Sequence, residues 1–70
     1  MGVSYKKLWK ILIDKDLTKT KFAQLADISG HTLAKLGKSE NVSMDILQRI
    51  CRTLECDIGD IVEYVPDEER

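Results

Sequence analysis

The stretch TKTKFAQLADISGHTLAKL, residues 18–36, decides how this chain folds. Its apolar side chains recur at helical rather than alternating spacing, and the run is cut once, at Asp27-Ile28-Ser29-Gly30. Thr18 is placed to cap a short helix carrying Phe22, Ala23, Leu25 and Ala26. Ser29 is placed to cap another, with Leu33 and Leu36 facing inward and Gly37 marking its end. Two short helices that cross steeply through a tight turn need a small residue where they approach, and Ala23 is that residue. They also need an apolar side chain beneath the turn, which Ile28 supplies. Ala23, Ile28, Leu33 and Leu36 meet these conditions together, so the stretch reads as a helix-turn-helix.

Upstream, Ser4 is expected to cap a first helix with Tyr5, Leu8, Trp9 and Leu12 on one face, ending near Lys15. Tyr5 and Trp9 read as core or rim packing, and Lys6, Lys7 and Lys10 as the solvated side of that helix. Downstream, residues 38–42 are polar enough to be loop, and Ser43 caps a fourth helix with Asp45 in its first turn. Met44, Leu47, Ile50, Cys51 and Leu54 form its apolar stripe. Asp57 and Asp60 resemble a capping box for a short fifth helix carrying Ile58, Ile61 and Val62. The expected architecture is all-α: one compact five-helix domain over residues 1–65, followed by a short acidic tail at 66–70.

Composition bounds the chemistry. With 43% apolar and 33% charged residues the chain reads as a folded domain, and its apolar runs are too short to span a membrane. The polar, lysine-bearing start has no apolar stretch of signal-peptide length, so the cytoplasm is the expected compartment. Cys51 and Cys56 have no second pair and the single histidine, His31, is far upstream, so they read as small core residues and no metal or cofactor is implied. One histidine with no cysteine near it in sequence offers no nucleophile with a base, which argues against an enzyme.

A net charge of −1 does not suggest a nucleic-acid partner, but its distribution does. Residues 1–38 hold eight lysines against three aspartates, while residues 39–70 hold three arginines against nine acids. Such an asymmetry suggests a basic face, where a phosphate backbone would sit, and an acidic one.

The chain resembles the lambda-repressor-like helix-turn-helix domains of Cro and repressor type, over about residues 5–63. The likeness rests on Thr-x-x-x-Phe-Ala at 18–23, Ile-Ser at 28–29, Thr-Leu-Ala-Lys-Leu at 32–36, and the segment 42–61 that looks like that family's fourth and fifth helices. It implies a regulator of transcription that binds double-stranded DNA, with residues 31–36 in the major groove. Mapped by position, His31, Thr32 and Lys35 are the candidates for base contact, and Gly30 is outward beside them. Thr18, Lys19 and Ser29 at helix starts, with Lys38 and Asn41 past the third helix, are the candidates for phosphate contact.

One short helix reads few base pairs, so a homodimer on two related half-sites is expected, with Ile61, Val62, Tyr64 and Val65 as a candidate pairing surface. No segment for a small-molecule effector is expected. The chain departs from the family pattern in places. Gly30 stands where a side chain is usual, Asp27 where glycine is frequent, Gly37 and Ser39 alter the end of the reading helix, and no arginine precedes residue 49. Gly30 and the acidic C-terminal half leave an alternative, a protein-interaction module of the same fold.

Overall fold

A computed structural model describes residues 2–66. Its elements are β1 (Gly2–Ser4), α1 (Lys6–Asp14), α2 (Lys19–Ala26), α3 (Gly30–Gly37), α4 (Met44–Leu54), a 3-10 turn (Ile58–Asp60) and β2 (Glu63–Val65). The four α-helices fall where the periodicity placed them. Thr18, Ser29 and Ser43 each cap one, their hydroxyls accepting the backbone N–H of Lys21, Thr32 and Ile46 at 3.1, 3.1 and 3.2 Å.

The amphipathic faces meet in one core. Tyr5, Leu8 and Leu12 come from α1 and its cap, Phe22, Ala23 and Ala26 from α2, and Leu36 from α3. Leu47, Ile50 and Leu54 come from α4, and Ile28 and Ile61 close it from the connecting segments. Ile28 lies under the turn as its position required. Leu33 is half-buried against this cluster rather than sealed in it. Leu25 and Met44, expected on inward faces, are 53% and 55% exposed. Met44 is the first residue of α4, and its buried stripe starts at Leu47.

The fifth helix does not form, and the domain is mostly helical with a two-stranded sheet rather than all-α. The capping box itself is present: Asp57 N–H donates to Asp60 at 2.9 Å, and the Asp57 carboxylate accepts in return from the turn's backbone. The residues beyond the box cannot prolong it. Gly59 weakens the turn, Val62, Tyr64 and Val65 favour extended backbone, and Pro66 pushes Val65 away from helical angles. The chain instead extends and pairs antiparallel with β1, Gly2 opposite Val65, Val3 opposite Tyr64 and Ser4 opposite Glu63.

Ser4 therefore belongs to a strand and not to a cap. Tyr5 occupies the α1 cap position without any side-chain capping bond, and Ser4 Oγ accepts from Lys6 N–H only at a long 3.4 Å. Ile61 is fully buried, which removes it from the expected pairing surface, whereas Tyr64 is 65% exposed. Of the acidic tail, residues 67–70 lie outside the described residues.

Left-handed residues follow all four α-helices: Asp16, Asp27, Ser39 and Glu55, with φ of 57, 58, 58 and 55°. None is glycine, and Gly37, read as a stop, is simply the last residue of α3.

Candidate nucleic-acid interface

The helix-turn-helix is built from α2, the turn at Asp27–Ser29, and α3. Asp27 adopts the left-handed conformation that glycine often supplies, which a short polar side chain tolerates. The Ile28 backbone N–H then bonds back to the Ala23 carbonyl at 3.1 Å, and Ser29 restarts the helix. A residue that sequence reasoning does not single out fixes this turn from outside. Arg49 of α4 donates through Nη1 to the Asp27 carbonyl at 2.9 Å, and its Nη2 lies 3.1 Å from Asp45 one helical turn earlier. Nothing in the local pattern of α4 signals that bond, because its partner is a main-chain oxygen 22 residues away.

The ion pair with Asp45 is exposed and worth only a few tenths of a kcal/mol. The bond to the carbonyl is charge-assisted and fastens the turn. Arg49→Ala is expected to lower stability by about 1 kcal/mol, and Asp45→Ala by less, in urea denaturation. Equal losses for the two would reduce Arg49 to a surface ion-pair partner.

The sequence-derived candidates fall on the outer side of this unit. His31 is exposed, and Thr32 and Lys35 are half-buried. Thr32 is oriented by its neighbour, since Ser29 Oγ donates to Thr32 Oγ1 at 3.2 Å while accepting the Thr32 N–H. The cap and the candidate reader thus form one small network, with the Thr32 hydroxyl proton left to donate elsewhere.

Thr18, Lys19, Ser29, Lys38 and Asn41 are all exposed. Thr18 and Ser29 stand at the starts of α2 and α3, where unpaired amide groups and the helix dipole favour anions. Lys19 Nζ sits 4.5 Å from the centre of the Trp9 ring, which fixes its ammonium beside α1 as a cation–π partner. Lys38 and Asn41 lie on a loop anchored to the core, because the buried Tyr5 hydroxyl donates to the Glu40 carbonyl between them at 2.8 Å. Burial pushes the Tyr5 hydroxyl above its ordinary pKa, so it stays protonated and keeps donating. Lys7, by contrast, reaches the Gly59 carbonyl at 3.2 Å, beside the 3-10 turn.

The charge division tracks the chain order. All eight lysines lie on or immediately beside α1, α2 and α3, and both described arginines lie on α4. Among the described residues no group of three His, Cys, Asp or Glu side chains gathers to hold a metal ion. No helix among them is long and apolar enough to cross a membrane.

Two capped helices joined by a pinned turn, with exposed and half-exposed polar side chains on the second, define a helix-turn-helix domain. The chain belongs to the Cro/C1-type HTH DNA-binding domain family, whose model matches residues 7–67. It is 39% identical to an uncharacterized HTH-type transcriptional regulator, YozG of Bacillus subtilis (strain 168), over 84% of this chain and 79% of that protein. Among solved structures, the transcriptional regulator VanUg superposes with a TM-score of 0.91 at 52% identity, covering 94% of this chain and 88% of that one.

Proposed function

We propose that the chain is a sequence-specific regulator of transcription that inserts α3 into the major groove of duplex DNA. The observation that carries this reading is the polar flank of α3, with His31 exposed and Thr32 and Lys35 half-exposed, in a chain of the Cro/C1-type DNA-binding family. His31, Thr32 and Lys35 are its base-reading residues, with Lys35 donating to guanine and Thr32 offering a hydroxyl and a methyl. Thr18, Lys19, Ser29, Lys38 and Asn41 hold the phosphates to either side. Gly30, the first residue of α3, offers no side chain, so affinity leans on phosphate contacts and on low salt.

The protein acts as a homodimer on two half-sites, since α3 spans only eight residues and reads few base pairs alone. The deciding experiment is selection of binding sites from random duplexes, then titration of the selected site and of mixed-sequence DNA across salt. A palindromic consensus and a steep fall of affinity with salt are expected. Binding that is absent at low salt, or indifferent to salt, favours instead a protein-interaction module, the reading suggested by the acidic C-terminal half. Sedimentation at tens of micromolar, with and without the selected duplex, checks the dimer; a monomer in both conditions removes it.

A further inference from the structure

Cys51 and Cys56 are free thiols at two linked positions of one turn. Helix α4 ends at Leu54, Glu55 takes the left-handed conformation with φ 55°, and Cys56 N–H bonds back to the Cys51 carbonyl at 3.1 Å. This is the six-to-one bond of a Schellman turn, whose geometry brings the side chains at its two ends into contact, usually an apolar pair. Here both members of the pair are cysteines, set at the two ends of the turn that the Cys56 N–H to Cys51 carbonyl bond closes. Both are half-buried against the core, so each is reachable while held in place by packing.

We infer that Cys51 and Cys56 form a dithiol that closes reversibly into an intramolecular disulfide, with a low-molecular-weight disulfide as the oxidant. Ordinary packing would be served by any two small apolar residues. Two thiols at the contact positions of a left-handed turn are instead arranged for bond formation without refolding of the helix.

Burial pushes both thiols up, Cys56 to about 11, with the Asp57 and Asp60 charges adding to the rise. The neighbouring Cys56 thiol works against that rise at Cys51, which is the attacking sulfur. Its thiolate attacks one sulfur of the oxidant, forming a mixed disulfide and releasing one small thiolate, which takes up the proton that Cys51 lost. Cys56 then gives up its proton and attacks the Cys51 sulfur, and the second small thiol leaves. The protein loses two electrons and two protons, and the oxidant gains both as two thiols.

The full chain is equilibrated with oxidised and reduced glutathione at mildly alkaline pH, folded and in urea, then acid-quenched and weighed by mass spectrometry. The expected product of the folded chain is the internal disulfide without accumulating adduct. Its equilibrium constant should exceed that of the unfolded chain at least tenfold, equivalent to about 1.4 kcal/mol of added folding stability in the oxidised form. A folded constant equal to or below the unfolded one overturns the inference, as does a product that stops at mixed disulfides or links two chains.

Discussion

Leu36→Ala is expected to lower folding stability by about 2–5 kcal/mol, the range for truncating a sealed aliphatic side chain in a core that relaxes only partly. Leu36 is the only fully enclosed side chain of α3, at 0% exposure, and it meets the residues of α1, α2 and α4 in the common core. A 70-residue domain has a total stability of roughly 4–10 kcal/mol, so this change removes much of it. Urea denaturation with an unchanged slope and a lowered midpoint is the expected record. Leu33→Ala should lose distinctly less, because Leu33 is only half-buried. A reversed order would mean that α3 is held chiefly through its first turn.

Thr32→Ala combined with Lys35→Ala should weaken binding to the selected duplex by roughly 1–3 kcal/mol, and binding to random DNA by less. Thr32 and Lys35 lie three apart on one side of α3, and Thr32 is already oriented by Ser29. The caps remain, because Ser29 accepts from the Thr32 backbone N–H, which alanine retains. Folding is thus expected to survive, and an unchanged melting curve verifies that the effect is on recognition. Electrophoretic or fluorescence titration of both duplexes separates the cases. Equal losses on the two would make Thr32 and Lys35 backbone contacts and leave His31 as the remaining reader of sequence.

The parts of the fold legible in the sequence are those governed by neighbours in the chain. Thr18, Ser29 and Ser43 announce their helices because a short oxygen-bearing side chain reaches only the amides of the next few residues, here the third. The Asp57–Asp60 box is legible for the same reason. Its extent is not, since a box specifies a start and leaves the length to the residues after it, here Gly59 and a β-favouring run. Strands β1 and β2 have three residues each, too short for alternation to show, and each needs a partner about sixty residues away in sequence. Arg49 escapes a sequence reading because its partner is a distant carbonyl, and the Lys19–Trp9 contact because it joins two helices. Of the candidate interface, the Ser29–Thr32 pairing comes with the cap, whereas the half-burial of Lys35 depends on the packing of α3 as a whole.

The pairing of Gly2–Ser4 with Glu63–Val65 orders events during synthesis. β1 is synthesised before β2 and waits, its hydrogen-bonding groups on water, until Glu63–Val65 has emerged. The four helices between them, made of local contacts, are free to assemble in the meantime. Closing so long a loop in a bare chain costs more than two three-residue strands return, so the final clasp depends on the helical body having already brought them together.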